Sequence, residues 1–188
     1  TNIQEIQISL KDYTISDEAL LDIFTCLFCR NNSLKSLYLS HNMDGSFENS
    51  ILHLAEDILP ETQSLKEFTF YFRKSTVTNQ AYNSLCENIA KLAQNLTGFM
   101  FSINCEAADV NSLKRIFVNM PNLEIFGYQS STEIFNDEVL DIFTSNTLPS
   151  LKNLQEFQFF INSSTVTDFH VKRLFESLPE EWFSKLNK

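Results

Sequence analysis

Glycine is nearly missing from this chain, with three residues, at positions 45, 98 and 127, in 188. Loops that cradle phosphate need several glycines close together, so three distant ones argue against a nucleotide site. Cations are also short. Lys and Arg total 14 against 24 Asp and Glu, for a formal net charge of −10. The basic residues are scattered, as in Lys35, Lys66, Arg73 and Arg115. A phosphate backbone or an acidic membrane surface needs them clustered, so nucleic acid and membrane are excluded as expected partners. No apolar run approaches the ~18 residues that cross a bilayer. The opening TNIQEIQISL has no basic-then-apolar leader pattern.

Metal and catalytic constellations are thin as well. Cys26 and Cys29 form C-x-x-C, but Cys86 and Cys105 supply no second pair, and zinc takes four ligands. The four cysteines read as buried or ordinary thiols, which suits a reducing, cytoplasmic compartment. His41, His53 and His170 fall in three different parts of the chain's pattern, with His41 placed after a strand and the other two in helices. That spread opposes a triad or a metal cluster. No cofactor is expected, and the chain is not read as an enzyme. Asn31, Asn95 and Asn162 each begin an N-x-Ser/Thr triplet. Chance is the favoured reading in a chain rich in Asn, and secretion is left open on that account.

What the chain has in quantity is Phe, 18 residues, and a repeated phrase. LQEFQFFINSSTVT begins at Leu154, and LKEFTFYFRKSTVT begins 89 residues earlier at Leu65, with eight of the fourteen positions identical. A longer pattern contains both. An apolar opener stands at Ile3, Leu34, Leu65, Leu96, Leu123 and Leu154, in steps of 31, 31, 31, 27 and 31 residues. Three residues on come Ile6, Leu37, Phe68, Phe99, Phe126 and Phe157, and two further Ile8, Leu39, Phe70, Phe101, Tyr128 and Phe159. That alternation predicts a short strand with its apolar positions on one face.

Thirteen residues after each opener stand Ser16, Phe47, Thr78, Asp109, Asn136 and Thr167. All but Phe47 can cap a helix through a side-chain oxygen. Apolar residues then recur at helical spacing: Leu20, Phe24 and Leu27; Ala81, Leu85, Ile89 and Leu92; Val171, Leu174 and Leu178. Pro60, Pro149 and Pro179 mark helix ends. Each unit therefore reads strand, loop, helix, return. One unit cannot bury its own apolar edge, and stacking buries it.

These units resemble leucine-rich repeats of the ribonuclease-inhibitor-like class, over residues 1–184. The resemblance implies an α/β, right-handed solenoid of about six repeats of ~31 residues, with parallel strands on the concave face and helices on the convex face. It places the whole of 1–188 in one array, with a seventh unit or a C-terminal cap from residue 180, the two being left open around Trp182, Phe183 and Leu186. Eight residues after the opener, where the family often has Asn, stand Asn42, Asn104 and Asn162 but also Lys11, Arg73 and Ser131, so an incomplete side-chain ladder is expected there. The fourth unit lacks four residues, which predicts about one helical turn lost, roughly 6 Å, and a dent in the convex surface.

The alternation also fixes what should point outward. One outward row includes Glu5, Glu67, Ile125 and Glu156; the next runs Gln7, Tyr38, Thr69, Met100, Gly127, Gln158; the third runs Ser9, Ser40, Tyr71, Ser102, Gln129, Phe160. Tyr38, Tyr71, Met100, Ile125 and Phe160 form an uncharged, partly aromatic swath, with Glu67 and Glu156 beside it. Such residues anchor protein interfaces. The expected function is a non-enzymatic protein–protein interaction module, a scaffold or recognition arm. The alternative is a substrate-recognition or regulatory repeat domain of a ubiquitin ligase, kinase or GTPase activator, although no arginine loop is recognised at Arg30, Arg73, Arg115 or Arg173. Six strands at ~4.8 Å present roughly 400 Å², against roughly 800 Å² per partner in a standard interface. Loops or further repeats of a larger protein are therefore expected to join in. The uncapped N-terminal edge at Ile3, Ile6 and Ile8 is expected to offer a second contact.

Overall fold

A computed structural model describes residues 3–10, 14–28, 33–42, 45–72, 75–103, 110–130, 136–161, 166–179 and 182. The strands are β1 (Glu5–Leu10), β2 (Ser36–His41), β3 (Gly45–Ser46), β4 (Glu67–Phe72), β5 (Ser75–Thr76), β6 (Gly98–Ile103), β7 (Ile125–Ser130) and β8 (Glu156–Ile161). The helices are α1 (Asp17–Phe28), α2 (Glu48–His53), α3 (Asn79–Leu92), α4 (Val110–Ile116), α5 (Asp137–Ile142) and α6 (Asp168–Glu176). The fold is α/β. Six strands form one parallel sheet in chain order, β1-β2-β4-β6-β7-β8, and β3 pairs with β5 in a separate two-residue ladder. Successive helices pack against one another. A parallel neighbour cannot be reached by a hairpin, so each return path carries a helix.

The register follows the sequence period. Ile6 pairs with Leu37, Leu37 with Phe68, Phe68 with Phe99, Phe99 with Phe126, and Phe126 with Phe157. A slip of one residue would have turned every one of these side chains to the other face. The rings therefore stack in columns. Phe68 and Phe99 lie 6.4 Å apart at 15°, and Phe126 and Phe157 5.7 Å apart at 17°. In the second column Phe70 and Phe101 lie 5.6 Å apart. Phe68, Phe70, Phe99, Phe101 and Phe126 are all buried. Trp182 lies over the end of the first column, its ring 5.4 Å from Phe157 and its indole N–H donating to the Leu151 carbonyl at 3.1 Å. Phe183 and Leu186 lie outside the described residues.

Three placements differ from the sequence expectation. His41 is the last residue of β2 and buried against Phe47 and Phe72, at ring distances of 4.4 and 5.6 Å, rather than beyond the strand. In α1 it is Phe28, with Leu20 and Phe24, that is buried, while Leu27 is only partly so. In α6 Val171 is exposed and His170 takes the buried position.

Caps form where oxygen-bearing residues stand. The Ala19 amide donates to Ser16 Oγ at 3.1 Å, and the Val139 amide to Asn136 Oδ1 at 3.1 Å. Phe47 has nothing to offer α2, and a neighbour supplies the cap instead. The Asp17 carboxylate, from the start of α1, accepts the Asn49 and Ser50 amides at 2.9 Å each. Burial works to raise the Asp17 pKa, but the Ser50 hydroxyl and the Ser50 and Asn49 groups that donate to it outweigh burial and hold it below the ordinary carboxylate value. Asp109 lies outside the described residues.

A polar ladder runs from unit to unit, one residue before each opener from Leu34 onward. Ser33 Oγ donates to the Ile3 carbonyl at 3.3 Å, Ser64 Oγ to Leu34 at 2.8 Å, Asn95 Nδ2 to Gln63 at 3.3 Å, Asn122 Nδ2 to Gln94 at 2.7 Å, and Asn153 Nδ2 to Pro121 at 3.1 Å. The ladder expected eight residues after the opener is represented by the exposed Asn42; Lys11, Arg73, Asn104, Ser131 and Asn162 lie outside the described residues.

The shortened fourth step is visible on the helical side. α4 has 7 residues against 14 in α3, shorter in the direction expected; residues 104–109, directly before it, lie outside the described residues. A cavity of about 750 Å³ lies at this place, lined by Phe117, Val118 and Asn119 after α4 and by Ser145, Asn146 and Pro149 after α5. α2 and α5 instead continue through one wide turn, Leu54–Ile58 and Phe143–Thr147, into a tight turn holding Pro60 or Pro149. Proline has no N–H with which to continue a helical ladder.

Candidate functional site

The sheet face opposite the helices carries the outward rows in register. Tyr38 pairs across to Gln7 and Thr69, Met100 to Thr69 and Gly127, and Gln158 to Gly127. Tyr71 likewise stands between Ser40 and Ser102, and Phe160 beside Gln129. Tyr38 and Tyr71 meet edge to face at 6.3 Å and 63°. The Tyr71 hydroxyl points at Met100 Sδ, 3.5 Å away. Tyr38, Tyr71, Met100 and Ile125 are half-buried, and Phe160 is exposed.

Tyr38, Ser40, His41, Asn42, Tyr71, Gly127, Tyr128, Gln129, Gln158 and Phe160 line one cavity of about 580 Å³. Its walls come from β2 and β8, four places apart in the sheet, with Tyr71 of β4 and Gly127, Tyr128 and Gln129 of β7 between them. The sequence swath therefore divides. Tyr38, Tyr71 and Phe160 share the cavity, while Met100, Ile125, Glu67 and Glu156 stand beside it. Two glycines make room on this face, Gly127 in the cavity lining and Gly98 beside it. A Cβ on Gly127 would lie 2.9 Å from Met100 Cε, and one on Gly98 would lie 3.2 Å from Glu67 Cγ. Met100 and Glu67 thus lie flat along their rows in space the glycines leave.

Charge in the three described outward rows has one sign; Lys11 and Arg73, in the row of Asn42, lie outside the described residues. The three rows hold Glu5, Glu67 and Glu156 and no Lys or Arg. Glu156 Oε1 accepts from Gln158 Nε2 at 2.5 Å, which joins that carboxylate to the cavity wall. The nearby Lys66 turns its ammonium to the Asn95 carbonyl at 3.2 Å. Burial lowers the His41 pKa and so favours a neutral ring. Burial pushes the Tyr128 phenol up, against a hydrogen bond with Ser130 that lowers it.

Two Thr–His–Asp chains occur on the helical side, which the sequence reading missed by seeking the histidines together. At the start of α6 the Thr167 amide donates to His170 Nδ1 at 3.1 Å, and His170 Nε2 stands 3.1 Å from Asp137 Oδ1. His53 Nδ1 stands 2.7 Å from Asp57 Oδ2, with Thr25 Oγ1 3.4 Å from its Nε2. The first is a capping box and the second a one-turn pair; both are accounted for by helix structure. The T-x-x-H spacing at Thr167 was the readable signal of the first.

The described residues hold no group of three His, Cys, Asp or Glu suited to a metal ion. Cys26 carries an exposed thiol and Cys86 is buried; Cys29 and Cys105 lie outside the described residues. Arg115 pairs with Glu87 at 2.9 Å and Arg173 pairs with Asp141; Arg30 and Arg73 lie outside. The Asn95 amide nitrogen serves the polar ladder, and Asn31 and Asn162 lie outside. No helix among the described residues is long and apolar enough to cross a membrane. Compared with protein-family models, with curated proteins and with solved structures, the chain shows no match.

Proposed function

We propose that the chain is a leucine-rich-repeat solenoid of the ribonuclease-inhibitor-like class that works as a protein-docking module inside the cell, with the concave sheet face as its docking surface. The observation that carries the reading is the cavity walled by Tyr38, Tyr71 and Phe160. Aromatic side chains on a rigid scaffold anchor partners at low entropic cost. Every strand lies in register with the next, so the face is preorganised. The functional groups that line the cavity are hydroxyls, amides, aromatic rings and the His41 imidazole.

Photo-crosslinking tests the reading. A benzophenone side chain at Tyr71 should capture proteins from native extract that the same group at the exposed Glu87, on α3, does not. Changing Tyr38 and Phe160 to Ser should abolish that capture while the melting curve stays in place. Equal capture from both positions would remove the concave face as the docking surface.

A further inference from the structure

We infer that the concave cavity takes an arginine side chain of an extended basic segment, held among Tyr38, Tyr71 and Phe160 and oriented by the Glu67 and Glu156 carboxylates. The inference rests on the reading of this face as a docking surface and adds the chemistry of the occupant.

Size sets the first limit. About 580 Å³ lies within the roughly 300–1,000 Å³ of sites that enclose small groups. It suits one long side chain with a little of its backbone. A folded partner domain would lie across the opening rather than inside it.

The walls set the second. Phe160 is 58% exposed, and the edge-to-face packing of Tyr38 on Tyr71 leaves ring surface toward the hollow. The negative faces of aromatic rings attract cations. A planar guanidinium stacks on them and gives up its weakly held water more readily than an ammonium does. Within the rest of the lining, Gln129, Gln158 and Asn42 present amides whose oxygens can accept a guanidinium's several N–H groups.

Charge sets the third. The open rows carry carboxylates and no cation, and the whole chain carries −10, so an acidic segment is repelled at long range and at contact while a basic one is steered in. Glu156 is already tied to the cavity through Gln158, and Glu67 lies flat over Gly98 toward the middle of its row. The two carboxylates stand in one row with Gly98 and Ile125 between them. That separation is roughly 14 Å at ~4.8 Å per strand, close to the four-residue reach of an extended peptide at ~3.4 Å per residue. A segment laid across the sheet would present basic residues at that interval.

The test uses three fluorescein-labelled peptides about twelve residues long, which at ~3.4 Å per residue span the sheet. They share a Ser, Gly and Tyr background and differ at two positions four residues apart, which hold Arg, Gln or Glu. Binding to the full chain is read by fluorescence anisotropy. The Arg peptide should bind at least about tenfold more tightly than the Gln peptide, with the Glu peptide weakest, and its affinity should fall as salt rises. The double variant Glu67→Gln, Glu156→Gln should lose about tenfold for the Arg peptide and nothing for the Gln peptide, with an unchanged melting curve. Tyr38→Ser with Phe160→Ser should weaken the Arg peptide independently of salt. Equal binding of the Arg and Gln peptides, or an Arg affinity untouched by the double Glu variant, would overturn the arginine assignment and leave the docking face to its own crosslinking test. Binding of none of the three would also overturn it.

Discussion

The twin phrases beginning at Leu65 and Leu154 place nearly the same side chains in very different surroundings. In β4, which lies between β2 and β6, Phe68, Phe70 and Phe72 are at most 2% exposed. In β8, which has only β7 beside it among the described strands, Phe157, Phe159 and Ile161 are half-buried. The helices that follow diverge in the same way. α3 buries Ala81, Tyr82, Leu85, Cys86, Ile89 and Leu92, whereas α6 buries His170 alone. The exposed large apolar side chains of the described chain, Phe160, Phe169, Val171 and Phe175, all belong to the second copy. The phrase sets face and register, and neighbours on both sides set burial. Local pattern is a property of the unit and core is a property of the stack.

Truncation should break the comparison most sharply. Phe68→Ala is expected to cost about 3–5 kcal/mol, through lost burial and a cavity that stacked rings cannot fill. Phe157→Ala should cost roughly half as much, since part of its surface already meets water. Urea midpoints at constant slope would read both, and equal losses would refute the neighbour account. Helix caps obey the same logic. α2 depends on the Asp17 carboxylate of the preceding helix, so Asp17→Ala should cost about 1–2 kcal/mol at neutral pH. Because the Asp17 pKa is lowered in the folded state, its contribution is complete above the ordinary carboxylate value and is lost as pH falls through the folded value. Wild type and variant should therefore converge in strong acid.

A smaller effect tests the interior side of the comparison. His41 is buried against Phe72, the last residue of the first twin's strand, and its pKa is lowered by burial. An unfolded chain takes up this proton near ~6.5, before the folded one does. Stability is present above that pH and declines as pH falls through the folded value, with a slope of at most about 1.4 kcal/mol per pH unit. Thermal melts of His41→Phe across mild acid should lack this part of the decline. The smallest change is expected where the second twin is exposed. Val171→Ser should alter stability by less than about 0.5 kcal/mol, whereas Tyr82→Ser, at the equivalent place in α3 and 1% exposed, should cost several times more by denaturant titration.

The strand register was legible because alternation and period agree at Ile6, Leu37, Phe68, Phe99, Phe126 and Phe157. Strong periodic signals survive without knowledge of neighbours. The outward rows followed from the same register, and Tyr38, Tyr71 and Phe160 meet at one cavity for that reason. The concave face was expected from the resemblance, but how its side chains divide was not legible. Nothing in the residues of one strand tells that β2 and β8 wall a common hollow, or that Met100 stands outside it. The polar ladder was missed although its signal was present, a Ser or Asn before every opener from Leu34 onward. A single small polar residue reads as loop until a carbonyl from the preceding unit is placed beside it. Phe47 looked like a failed cap because the oxygen it lacks comes from Asp17, about one repeat earlier in the chain.

The short α4 has a mechanical meaning. On the sheet side β6 stays paired to both β4 and β7, with six and five rungs, while on the opposite side the layer thins at the cavity behind Phe117 and Pro149. A beam flexes where its section is smallest, and here the inextensible side is the hydrogen-bonded one. Bending concentrated at α4 would swing β8 toward or away from β2 with the strands acting as the hinge leaf. The aperture between Tyr38 and Phe160 would then be set by a joint on the far side of the molecule, which no partner held in the aperture needs to touch.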